Sequence, residues 1–294
     1  MKISLNKSQE LQKYSQSSEE TIINQLLPLI QRRKQKIIAV EFGASEGNDG
    51  SNLLALAHLG VSTVFIEADS NKFVQLKNNT KNLLSVQLIN DRVGFIEGKN
   101  LRSILESYKI NTSDVAIVSI DVDGDDAVIF ENLGFHPDCV VIEFNPTMSA
   151  DGRFRNPPGR NIGNSIGELL FVAEALGYYP VGITDTNLIL LDKYYTQYVK
   201  MININEEILQ TNKNLRIGWG YDGTIVMYPS RGGDIIGEVY QNWWNGSILV
   251  QPLPKSLRKF KSGKIHYLLF LSYVIIFRPN YLYKIYLKST KLKS

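Results

Sequence analysis

The sequence predicts an α/β protein built on a doubly wound, mixed sheet with helices on both faces. Three observations carry this. Short apolar runs with no polar alternation recur along the chain, amphipathic stretches separate them, and the last two runs sit close enough to form a hairpin. Continuous apolar strands are buried on both sides, which requires helices above and below the sheet.

Residues from about Ser18 to Gln35 read as the first helix. Ser18 is placed to cap it, acids follow in the first turn, and Ile22, Ile23, Leu26, Leu27 and Ile30 recur at helical spacing; Pro28 is a candidate kink. "KIIAVEFGA" is the first strand and "SNLLALAHLG" a helix closed by Gly60. "STVFIEAD" is a second strand, followed by a helix, "SNKFVQLKNNTKN", with Ser70 as its cap. "VQLIND", "LRSILESY", "DVAIVSIDVDG", "DDAVIFENLG" and "DCVVIEFNP" continue the alternation. A helix over "GNSIGELLFVAEALGY" and a hairpin over "YYPVGITDTNLILLDK" complete it, which places one antiparallel strand at the sheet's edge. Four segments follow: an N-terminal helical part (1–35), the sheet domain (36–194), an aromatic and Gly-rich extension (195–254) and a basic, apolar tail (255–294).

The chain of 294 residues is 44% hydrophobic and carries one cysteine, Cys139, inside an apolar run, so disulfides are excluded and an inert buried thiol is expected. The N-terminal stretch lacks the apolar core of a secretory signal, and the expectation is a cytoplasmic protein. The net charge of +3 is unevenly spread. Residues 255–294 hold ten Lys/Arg and no acid, and the rest holds 22 basic against 29 acidic side chains. The eleven residues from Tyr267 to Phe277, apolar except for Ser272, reach about 17 Å as a helix against a bilayer core of ~30 Å. Such a tail suits peripheral contact with anionic lipid at the inner membrane face, or docking on protein, better than a nucleic-acid arm. Trp219, Trp243 and Trp244 fit either core packing or a sugar-binding face.

In parallel sheets, ligands bind at the C-terminal strand ends. Here those ends carry Glu41, Gly43, Glu67, Asn90, Asp91, Asp121, Asp123, Glu143 and Asn145. In "VEFGASEGNDGSN", Gly43 and Gly47 permit a tight turn, and Ser51 leads into a helix. The loop lacks the middle glycine of G-x-G-x-x-G, which makes room for a pyrophosphate, and this counts against a nicotinamide-dependent oxidoreductase. An acidic loop without phosphate-binding features suits a cationic ligand with an aminoacyl chain. Glu67 is placed to accept both hydroxyls of a ribose; Asn90 or Asp91 could meet an adenine amine, though Asn-Asp is also an ordinary turn. Asp121 and Asp123 alternate onto one side of their strand. Two such carboxylates retain a proton, bind a cation such as Mg²⁺ or Ca²⁺, or are screened by water. Asp125 and Asp126 read as caps of the next helix. Asn145 could orient a substrate hydroxyl. No Ser/His/Asp triad, CxxC pair or HExxH is present.

The order of "VEFGASEG", "FIEAD", "IND", "SIDVDGDD" and "VVIEFNP" on successive strands resembles an S-adenosylmethionine-dependent class I methyltransferase of the FkbM-like type, over roughly Lys36 to Asp192. The resemblance implies a Rossmann-like seven-stranded sheet. It also implies S-adenosylmethionine as cofactor, with Glu41, Gly43 and Gly47 along its methionine part, Glu67 at the ribose and Asn90 or Asp91 at the adenine. Asp121 and Asp123 would face the sulfonium and substrate, with Asp123 as general base and Asn145 positioning the substrate. The implied reaction is O-methylation of a sugar hydroxyl on a saccharide or lipid-linked saccharide. Ala127 and Ser45 stand where related chains often carry aromatics. A binding or scaffold protein on the same fold is the rival from another class.

Overall fold

The structure is a computed structural model. It describes residues 14–15, 19–48, 50–145, 148, 152–157 and 160–204, the strand residues 215–219 and 225–229, and residues 272 and 276. The chain divides into two compact units: residues 1–145 with 150–207, and residues 146–149 with 208–294.

The first unit alternates as its apolar periodicity requires. In chain order it contains α1 (Glu19–Arg33), β1 (Ile38–Phe42), α2 (Leu54–His58), β2 (Ser62–Ile66), α3 (Ser70–Thr80), β3 (Val86–Ile89), α4 (Leu101–Ser107), β4 (Val115–Ile120), α5 (Asp126–Glu131), β5 (Cys139–Glu143), α6 (Ile166–Ala175), β6 (Tyr178–Ile183) and β7 (Asn187–Asp192). α1 runs through Pro28, which lies on its exposed side. Ser18, its expected cap, lies outside the described residues. The cap of α3 is Asp69 rather than Ser70, because the Asp69 carboxylate accepts the backbone N–H groups of Asn71 and Lys72.

The strands form one seven-stranded sheet in the order β3-β2-β1-β4-β5-β7-β6. β1 pairs in parallel with β2 and β4, and β5 in parallel with β4. β7 is antiparallel to both neighbours and lies between β5 and β6. The antiparallel strand is therefore one place in from the edge, a correction to the expected edge position. The chain passes over that place to lay down β6, then turns back to fill it. The strand order reverses between β1 and β4, the switch point at which open α/β sheets leave a crevice.

α1 lies on one sheet face. Its Ile22, Ile23, Leu26 and Ile30 pack with Ala39, Ile117, Val141, Ile189 and Leu191, all of them buried. This helix belongs to the same core as the sheet. On the other face Phe130 of α5 packs against Tyr178, with ring centroids 5.4 Å apart. Burial holds the Cys139 thiol well above its ordinary pKa, as expected of an inert core cysteine. The N-terminal strand ends are tied by ion pairs. Asp138, buried, accepts from Arg33 at 2.8 Å and Tyr195 at 2.8 Å, and Lys34 lies 3.1 Å away.

In the second unit the described strands β8 (Leu215–Trp219) and β9 (Ile225–Pro229) form an antiparallel pair. Trp243, Trp244 and the stretch Tyr267–Phe277, apart from Ser272 and Ile276, lie outside the described residues. Among the described residues no helix is long and apolar enough to cross a membrane.

Candidate active site

The site is the C-terminal edge of the sheet around the switch point. The first loop is set by β1 and closes against β4. Gly43 adopts φ +76°, and a Cβ there would sit 1.7 Å from the Asp121 carbonyl oxygen, so only glycine fits. The N–H groups of Gly43 and Ala44 donate to the Ile66 carbonyl at 3.1 and 3.3 Å, which fastens the loop to β2. Gly47, at φ +62°, packs against α3, where a Cβ would meet Leu76 at 2.3 Å.

Glu41 is buried, and its carboxylate accepts from Ser51 Oγ at 2.7 Å, Asn52 N at 3.0 Å and Leu53 N at 2.9 Å. Both Glu41 and Ser51 thus shape the far side of the loop and the entry to α2. Loss of solvent pushes the Glu41 carboxyl up to about 7 despite these three donors. Glu67 bridges two loops. One of its oxygens accepts Ser45 N at 2.7 Å and the other Asp69 N at 2.7 Å. Asn90 supports that position from β3, its Nδ2 donating to the Glu67 carbonyl at 2.7 Å. Asp91 is exposed and accepts from the N–H of Arg92.

β4 and β5 bring the acids together. Side-chain oxygens of Asp121, Asp123 and Glu143 all lie within 4.8 Å of one another. Asp121 and Glu143 are half-buried, and Asp123 is exposed at φ +58°, a left-handed conformation that Asp tolerates better than most residues. Asp121 is pushed up to about 8, chiefly by loss of solvent and then by the charges of Asp126, Asp123 and Glu41. Glu143 is raised well above the ordinary carboxyl range by burial and by Asp121 beside it. Ionising either of these two crowded carboxyls disfavours ionising the other.

Asp126 is not the helix cap expected from the sequence. Its carboxylate turns back to accept Val122 N and Gly124 N, both at 2.9 Å, and Asp125, at the N-cap position, makes no side-chain cap bond. Asp126 therefore holds the turn that presents Asp123. Burial raises it to about 6.

The connection after β5 folds over this turn. Asn145 donates from Nδ2 to the Ile162 carbonyl at 2.6 Å, and its backbone N–H to Asn164 O at 2.8 Å. Asn164, fully buried, donates to Gly124 O at 2.9 Å, and Asn156 donates to Arg160 O at 2.6 Å. Gly124 has no room for a side chain, since a Cβ would lie 2.6 Å from Arg160 O. Arg155 pairs with Glu131 and Glu168, and Arg153 with Glu168, which anchors the same connection to α5 and α6. Asn156, Asn164 and Glu168 escaped sequence reasoning because their partners are fixed by the tertiary fold. The Asn-rich spacing in "NPPGRNIGN" was the signal available.

A further contribution comes from α1. Glu19 and Glu20 are fully buried at its first turn. Glu19 accepts from Thr184 Oγ1 and Asn187 Nδ2, and Glu20 accepts the N–H groups of Tyr14 and Ser15. Tyr14 in turn accepts Gly50 N at 2.6 Å and stacks on His58. These two first-turn acids thus tie Tyr14 and Ser15 on one side, and Thr184 and Asn187 on the other, to the start of α1.

No family model matches the chain, and no curated protein matches it. Solved structures do. The N-terminal domain of EvdMO1 with SAH bound is 12% identical with a TM-score of 0.41, over 61% of this chain and 82% of that one. Monomeric WbdD is 14% identical with a TM-score of 0.38, over 59% of this chain and 40% of that one. A SAM-dependent methyltransferase from Aquifex aeolicus is 11% identical with a TM-score of 0.35, over 59% of this chain and 88% of that one.

Proposed function

We propose that the chain is an S-adenosylmethionine-dependent methyltransferase of the FkbM-like type that methylates a hydroxyl of a saccharide or lipid-linked saccharide. The observation that carries this reading is the meeting of the Gly43 loop, Glu67 and the Asp121–Glu143 pair at the switch point of one sheet. The lining also fits the cofactor chemically. Glu41, Glu67, Asp121, Asp123 and Glu143 offer acceptors and negative charge, which suit a ligand bearing a sulfonium and an ammonium. Gly43, Gly47 and the loop that Glu41 and Ser51 hold would face its methionine part. Glu67 would take the ribose, and Asn90 and Asp91 the adenine.

When bound, the cofactor supplies a methyl group already activated by its positive sulfur. The chain's task is to place an acceptor oxygen in line and to receive its proton as the C–S bond breaks and the O–C bond forms. Asp123 fits the second role, being the exposed carboxylate of the group on a turn held by Asp126. Asp121, less exposed and set against Glu143, is less available for that role. Asn145 fixes the connection over the turn, and its contact with Ile162 gives it a positioning role toward the substrate.

Calorimetric titration tests the reading. S-adenosylmethionine should bind and NAD should not. Glu67→Ala should weaken S-adenosylmethionine binding at least tenfold, and an unchanged affinity would remove the ribose role. If neither cofactor bound, a scaffold function on this fold would take its place. The basic tail, 255–294, is proposed to meet anionic membrane; protein truncated after Pro254 should no longer sediment with anionic vesicles.

A further inference from the structure

We propose that Arg160 determines substrate specificity by binding an anionic group, phosphate or carboxylate, on the saccharide. That the saccharide is a methyl acceptor rests on the methyltransferase reading; the place and charge of Arg160 do not. The connection after β5 carries Arg153, Arg155 and Arg160, and the first two are engaged. Arg155 meets Glu131 at 2.7 Å and Glu168 at 2.8 Å, and Arg153 meets Glu168 at 2.9 Å. Arg160 is exposed, and it forms no ion pair among the described residues. Carboxylates are close at hand all the same. Its backbone lies against Gly124, where a Cβ would sit 2.6 Å from the Arg160 carbonyl oxygen, and Gly124 is flanked by Asp123 and Asp125.

The position of Arg160 is built. Asn156, 7% exposed, directs three polar groups to this segment. Its Nδ2 donates to Arg160 O at 2.6 Å, its Oδ1 accepts Ile162 N at 3.1 Å, and its backbone N–H donates to Asn164 Oδ1 at 3.0 Å. The Arg160 N–H closes a turn onto Pro157 O at 3.1 Å, and Asn145 holds Ile162 O from β5. Buried amides are costly unless bonded, and here their bonds converge on the backbone around Arg160 while its side chain stays in solvent. The edge beside it is acidic, with Glu41, Asp121, Asp123 and Glu143, and repels an anionic ligand everywhere else. One unpaired guanidinium gives such a ligand a single place to bind, and its planar fork matches phosphate and carboxylate through two parallel N–H···O bonds. The anion is thereby kept off the carboxylates, and a neutral hydroxyl is left to Asp123. Because Arg160 touches the turn that presents Asp123, the methylated hydroxyl belongs to the charged sugar or to its immediate neighbour.

The test is calorimetric titration of the full chain, with and without S-adenosylhomocysteine. The probes are glucose, galactose and mannose, each as the neutral sugar, the uronate, the 1-phosphate, the nucleoside diphosphate sugar and a short polyprenyl diphosphate sugar. At least one anionic form should bind roughly tenfold or more tighter than its neutral parent, and the form that does so separates a carboxylate from a free, nucleotide or lipid phosphate. Arg160→Gln should abolish that preference while the affinities for the neutral sugar and for S-adenosylhomocysteine hold. Arg160→Lys should keep part of it, and Arg102→Gln on α4 should leave it intact. Circular dichroism confirms that each variant is folded. No preference for any anionic form would overturn the role of Arg160, as would an undiminished preference in Arg160→Gln. An Arg160-dependent preference in a chain that binds no S-adenosylhomocysteine would keep the anion site and remove the methyltransferase reading.

Discussion

Single residues at the switch point have little freedom, and Gly43 has the least. A side chain there would overlap the Asp121 carbonyl and would also have to accept φ +76°. Gly43→Ala should therefore cost more than about 3 kcal/mol, well above a typical surface substitution. Denaturant unfolding measures it, and a loss below ~1 kcal/mol would mean that β1 and β4 can separate without penalty. The residues around it show what a sequence discloses of a site. That Glu41, Glu67, Asp121 and Asn145 reach one edge follows from their places at strand ends. Their bonding does not follow, because the partners of Glu41 lie ten to twelve residues on and that of Asn145 seventeen residues on, in loops without periodicity. Asp126 is the clearest case. Its position two residues after Gly124 is as suitable for capping a helix as for bracing a turn, and only the fold decides.

At the level of elements, the helices and strands were legible because each repeats its apolar residues at its own period. Cap identity was less so. Asp69 and Ser70 are both good cap residues, and the backbone enters α3 one residue earlier than Ser70 requires. Asp69→Ala should lower stability by about 1 kcal/mol in thermal or denaturant unfolding. Ser70→Ala, whose hydroxyl reaches only Asn90 at 3.2 Å, should cost less; the reverse order would place the cap at Ser70. Strand order is the element property that local pattern does not encode. The apolar run of β7 is the same whether the strand ends at the sheet edge or slips in beside β5, and the choice depends on burying its two faces and both its ladders.

Across the whole molecule, the two ends of the sheet carry opposite electrostatics. At the C-terminal end Glu41 is pushed from 4.5 to about 7, and Asp121 and Asp126 are raised as well. A carboxyl whose folded pKa is raised binds more protons folded than unfolded, so its contribution is fully present below the unfolded value and is lost as pH rises through the folded one. For Glu41 that window runs from 4.5 to about 7. The melting temperature should fall as pH rises across it, and Glu41→Gln should flatten the fall; an unaltered slope would show that Glu41 does not titrate in this range.

The N-terminal strand ends behave differently. Asp138 with Arg33, Lys34 and Tyr195 is a matched set of charges and donors, away from the edge where the ligands are expected. The consequence is practical: robustness and chemistry can be engineered apart. Substitutions that tighten the Asp138 cluster or the α1 face can raise heat tolerance while the acidic edge is left alone. On the proposed methyltransferase reading, substrate range can conversely be varied along that edge with Asp123 itself kept, the opposite end absorbing the loss.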